Sequence, residues 1–76
     1  MISYSIMLNT INDVKQFVNT VTKYDFDIDL VSGRYAIDAK SIMGIFSLDL
    51  SKPITVQLHT DDASVAAEEL KPFIIK

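Results

Sequence analysis

The chain has 76 residues, ten acidic against seven basic groups for a net charge of −3, 49% hydrophobic residues and no cysteine. Without cysteine there is no disulfide framework and no thiolate metal site, and the length bounds residues 1–76 to one domain, whose folding hides only about 60% of the surface that the unfolded chain exposes. So thin a core argues against a buried catalytic cleft, scattered lysines offer no basic stripe for nucleic acid, and no apolar run approaches the roughly 20 residues that span a bilayer.

Met1-Ile2-Ser3-Tyr4 lacks the basic start of a secretory signal, so the expectation is a cytoplasmic protein with no membrane and no direct nucleic-acid partner. Over residues 2–8, Ile2, Tyr4, Ile6 and Leu8 alternate with Ser3, Ser5 and Met7, the period of a half-buried strand. Over residues 10–23 the period becomes helical, with Ile11, Val14, Phe17, Val18 and Val21 on one face. Thr10 followed by Asp13 predicts an acidic capping box at the start of that helix. Phe26, Ile28 and Leu30 then alternate with Asp25, Asp27 and Asp29 as a second strand. Ser32-Gly33 reads as a two-residue hairpin turn that pairs Leu30 with Tyr35, Ile28 with Ile37 and Asp27 with Asp38. Ser41 is a good N-cap for one or two turns of helix over residues 41–47. Ile54, Val56 and Leu58 form a fourth strand, with His59 pointing away from the core. A last helix starts near Thr60-Asp61-Asp62, turns Ala63, Ala66, Ala67, Leu70 and Phe73 inward, and ends at Pro72. The order β-α-β-β-α-β-α, with strands apolar on one face only, predicts an α+β open-faced sandwich.

Candidate chemistry is sparse. Asp25, Asp27 and Asp29 open like a calcium loop, but Leu30 stands where the turn glycine belongs and Ala36 where the bidentate glutamate belongs, so no metal site is expected. His59 is the one histidine, and with no cysteine in the chain and the nearby Asp61 placed at a turn it is expected to form neither a triad nor a metal cluster. In a helix as short as residues 41–47, Ile42, Met43, Ile45 and Phe46 cannot all face one core, so part of that apolar surface is expected outside. Ser41 is either a plain helix cap or a group whose phosphate the helix N-terminus would favour.

The run Lys40-Ser41-Ile42-Met43-Gly44-Ile45-Phe46-Ser47-Leu48, preceded by Ala39 and followed by Ile54-Thr55-Val56, resembles the regulatory-serine segment of HPr, the histidine-containing phosphocarrier protein of the bacterial sugar phosphotransferase system. Gln16-Phe17-Val18 and Asp61-Asp62 resemble the family too. The resemblance implies an HPr-like fold, a four-stranded antiparallel sheet in order 1-4-2-3 with three helices on one face. It also implies Ser41 as the site phosphorylated by HPr kinase, and Ile42, Met43 and Phe46 as the apolar patch that meets protein partners. The family's active loop reads roughly Asn-Gly-Leu-His-X-Arg-Pro-Ala, whereas this chain has Leu8-Asn9-Thr10-Ile11-Asn12-Asp13-Val14. By that alignment Thr10 stands near the position of the lost active histidine, Asn12 near the arginine and Asp13 near the proline. Asp49 replaces a glycine usual after the short helix.

A histidine-less relative that keeps this serine is similar to the catabolite-repression HPr homologue. The expected function is therefore a non-catalytic regulatory or adaptor protein, with no cofactor, and with HPr kinase or a transcriptional regulator as candidate protein partners. An association or ligand-binding module using Asp27, Asp29, Thr55, Gln57 and His59 on the open sheet face is the alternative. A residual phosphocarrier using Thr10, His59 or an aspartate is the third reading. The sequence sets no oligomeric state.

Overall fold

The alternation and the helical stripes fold as their periods demand. The computed structural model describes residues 1–75, with β1 (Ile2–Ile6), α1 (Ile11–Val21), β2 (Ile28–Ser32), β3 (Tyr35–Asp38), α2 (Ile42–Phe46), β4 (Ile54–Leu58) and α3 (Ser64–Leu70). The four strands form one antiparallel sheet in the order β1-β4-β2-β3. Because side chains alternate across a strand, Ile6, Ile28, Leu30, Ile54, Val56 and Leu58 share the buried face. Ser3, Ser5, Asp29, Thr55 and Gln57 share the other face in the same register.

The helices close the buried face with Val14, Phe17 and Val21 of α1, Ile45 of α2, and Ala66 and Leu70 of α3. Phe73 joins them, its ring meeting Phe17 edge to face at a centroid distance of 5.7 Å. Thr10 caps α1 as expected, in a reciprocal capping box with Asp13. The last helix starts at Ser64 rather than at Thr60, its first amide received by Asp62 Oδ1 at 3.0 Å. It ends at Leu70, just before Pro72.

Three further expectations are corrected. Ile11 does not face the core but is 64% exposed, because it is the first helical residue and the buried stripe begins only at Val14. Strand two does not include Asp25 and Asp27 but begins at Ile28. The reason lies in its neighbour, since β3 ends at Asp38 and offers no strand opposite that stretch. The carbonyls of Tyr24 and Phe26 are taken instead by the Lys40 ammonium, at 2.7 and 3.2 Å.

The hairpin turn is Gly33-Arg34, not Ser32-Gly33, so Ser32 pairs with Tyr35, Leu30 with Ile37 and Asp29 with Asp38. Gly33 has φ +59° while no other among the described residues has a positive φ, the sign pattern of a turn that needs glycine at its first central position. The shift moves each partner by two residues, so every side chain stays on its expected face. The like-charge pair therefore involves Asp29 rather than Asp27.

One pairing has no counterpart in the sequence pattern. After α3 the chain returns along the outer edge of β1, where Met7 N–H donates to Phe73 O at 2.9 Å and Ile75 N–H to Ser5 O at 3.0 Å. Ile74 bridges Ile6 between them.

Candidate functional site

The segment around Ser41 is fixed from both sides before it becomes a helix. Ala39 is buried and donates its N–H to Ile28 O at 2.9 Å, and Lys40 braces the loop before β2 through the two carbonyls named above. Lys40 N–H also donates to Asp38 Oδ1 at 2.9 Å, and Ser41 N–H to Asp38 O at 3.0 Å. Ser41 itself is extended, at φ −101° and ψ 102°, and its Oγ accepts the Gly44 N–H at 3.2 Å. A Cβ on Gly44 would stand 3.3 Å from both Ser41 Oγ and Ile37 Cδ1, so glycine lets the short helix sit close to β3.

From this anchor α2 divides its apolar residues. Ile45 is buried and Ile42 is half-buried against the core, while Met43 is 78% and Phe46 42% exposed. Ser41 is exposed as well. An exposed hydroxyl thus adjoins two large exposed apolar side chains. Asp49 is engaged elsewhere, its Oδ1 accepting the N–H of Ser51 at 3.0 Å and the hydroxyl at 2.5 Å. Those hydrogen bonds hold its carboxyl below the ordinary value.

Thr10 lies at the start of α1, where its Oγ1 accepts the Asp13 N–H at 3.0 Å. Asp13 Oδ2 in turn accepts the N–H groups of Asn9 and Thr10, at 3.0 and 3.2 Å. Both amides lie ahead of the first helical residue, Ile11, so this carboxylate fastens the chain as it enters α1.

His59 follows β4 on the open face and pairs its Nε2 with Asp29 Oδ2 at 2.8 Å. The register sets Ile6 opposite Ile54 and Ile2 opposite Leu58, so the exit of β1 toward Thr10 and the exit of β4 toward His59 lie at opposite ends of the sheet. The two residues do not share a site. Among the described residues no group of three His, Cys, Asp or Glu side chains is arranged to hold a metal ion.

A polar staple ties the loop before β2 to α3. Lys23 Nζ meets Glu69 Oε2 at 2.5 Å, and the Tyr24 hydroxyl donates to Glu69 Oε1. Burial, together with the neighbouring Glu69 carboxylate, pushes the Tyr24 hydroxyl up to about 12. Hydrogen bonds from Lys23 and Tyr24 hold the Glu69 carboxyl below its ordinary value. The Tyr24 ring stacks on Phe26 at 5.4 Å with 17° between planes.

Sequence reasoning did not find Lys40 as a brace, because nothing local connects a lysine to carbonyls 14 and 16 residues earlier. Asp13 was legible as a capping partner from its spacing to Thr10.

The family model described as the PTS HPr component phosphorylation site matches residues 12–76. The chain belongs to the HPr family. Its proteins are phosphocarriers rather than catalytic enzymes in general, and they work with protein partners in the phosphotransferase system. Among solved HPr structures, HPr-C-His from Thermoanaerobacter tengcongensis is 27% identical with a TM-score of 0.80, over 97% of this chain and 91% of that one. The phosphocarrier protein HPr from Bacillus anthracis is 24% identical with a TM-score of 0.71, over 96% and 95% of the two chains. A mycoplasma histidine-containing phosphocarrier protein is 20% identical with a TM-score of 0.73, over 99% and 98%. The last two likenesses speak to the fold, and they agree with the open-faced HPr sandwich described above. No curated protein matches the chain. The matched stretch begins two residues after Thr10, and no helix is long and apolar enough to cross a membrane among the described residues.

Proposed function

We propose that this HPr-family chain is a non-enzymatic regulatory or adaptor protein of the cytoplasm, acting as one domain over residues 1–76. It meets protein partners through Ile42, Met43 and Phe46 and is switched by phosphorylation of Ser41. The observation that carries the reading is the exposed Ser41 hydroxyl beside the exposed Met43 and Phe46, on a short helix anchored by Ile45. A phosphate there adds about −1.5 to −2 charges next to an apolar docking surface. It would discriminate partners by charge, admitting a basic surface and rejecting an acidic one. HPr kinase is the candidate modifying enzyme and a transcriptional regulator the candidate docking partner.

The absence of phosphoryl relay is part of the proposal and has two supports. The one histidine, His59, lies away from the start of α1, and Thr10 Oγ1 is engaged as the helix cap beside the Asp13 carboxylate, whose negative charge opposes a phosphate there.

The test is the intact mass of the purified protein after incubation with HPr kinase and ATP, run beside Ser41→Ala and a known HPr as control. One added phosphate that disappears in Ser41→Ala supports the switch. No addition while the control is labelled would leave Ser41 as a helix cap. Incubation with the phosphoenolpyruvate-dependent relay enzymes should leave the protein unlabelled, and a phosphate on Thr10 or His59 would overturn the loss of relay.

A further inference from the structure

A second surface lies beyond the C-terminal end of α2, where the Gly33-Arg34 turn approaches the loop that follows the helix. Between them opens a cleft of about 440 Å³, within the roughly 300–1,000 Å³ typical of small-molecule sites. Arg34 and Tyr35 line it from the hairpin, and Ser47, Leu48, Asp49 and Lys52 from the loop.

The chain carries a net charge of −3, yet this lining holds two cationic side chains against one carboxylate. Among the described residues neither Arg34 nor Lys52 enters an ion pair. The carboxylate of Asp49 accepts the N–H and hydroxyl of Ser51, and Lys52 adds only a weaker charge attraction to it. Tyr35 is 71% exposed, which leaves its ring available as a wall, and Leu48 adds apolar surface.

These groups divide the recognition between them. A guanidinium fork matches an oxyanion in two hydrogen bonds and an ammonium adds a point charge, while a phenol ring favours a flat or cyclic group packed against its face. We propose that this cleft binds a small cyclic ligand bearing one oxyanionic group, held by Arg34 and Lys52 with its ring against Tyr35. Phosphate and carboxylate satisfy the same chemistry. The site does not depend on Ser41, so it stands or falls separately from the switch proposed above.

Phenyl phosphate, benzoate and the neutral benzyl alcohol are the probes, each titrated into the ¹⁵N-labelled protein while amide shifts are followed. Saturable shifts centred on Gly33, Arg34, Tyr35, Leu48 and Lys52 with either anion, and none with benzyl alcohol, support the site. The tighter of the two anions identifies the oxyanion it takes. Arg34→Gln, Lys52→Gln and Tyr35→Ala are all at exposed positions and should leave the remaining spectrum in place while weakening the anion about tenfold. Shifts confined to other parts of the molecule, equal response to benzyl alcohol, or unchanged affinity in all three variants would overturn the proposal.

Discussion

Gly33 and Ile45 show how single residues set this structure. At φ +59° Gly33 occupies backbone space that other residues enter only with strain, although a Cβ there would meet no atom. Gly33→Ala should therefore lower stability by about 1 kcal/mol through the backbone alone, which urea unfolding would read. Nothing in the sequence decided whether the glycine took the first or second central position, and the hairpin register depended on that choice. The alternation nevertheless told which face each strand residue takes, because a shift of partners by two preserves it. Within α2, Ile45→Ala should cost about 2–5 kcal/mol, whereas Met43→Ser should stay within about 0.5 kcal/mol of the wild type. Loss of partner capture by Met43→Ser at unchanged stability would separate docking from folding. That the helix had more apolar residues than one face can hold was legible from its length; which of them faces inward was not, since α2 takes its orientation from Lys40, Gly44 and Ile37 around it.

Among elements, α1 was the most legible, because its cap and, apart from Ile11, its buried stripe are local features. Thr10→Ala removes the acceptor for Asp13 N–H and should destabilise the protein by about 1 kcal/mol, measured by the same unfolding experiment. The joint between the loop before β2 and α3 was invisible in sequence, since Lys23 and Glu69 are 46 residues apart. It has a pH signature of defined sign. The Tyr24 hydroxyl titrates near 10.0 when unfolded and about 12 when folded, so folding favours its protonated form. Its stabilising contribution is complete below the unfolded value and is lost as pH rises through the folded one. The advantage of wild type over Tyr24→Phe should shrink from about pH 10 toward pH 12, in melting temperatures taken across that range. Glu69 acts in the opposite direction, its contribution being lost as pH falls through its lowered value.

At the scale of the molecule, element order and layering followed from the sequence because each period change marks an element and each strand is apolar on one side only. The return of residues 73–75 along β1 did not, since three residues carry no period and their partners lie far away in sequence. Phe73 is buried against Phe17 at that point, and Phe73→Ala should cost about 3–5 kcal/mol, a loss that thermal unfolding would detect.

The same return has a consequence for folding. Among the described residues every backbone neighbour of β1 in the sheet comes from residues 54–58 or 73–75, so this strand pairs only with segments far along the chain from it. Completing the sheet at β1 therefore requires closing long stretches of chain, which costs loop entropy and should slow folding relative to a fold of local contacts.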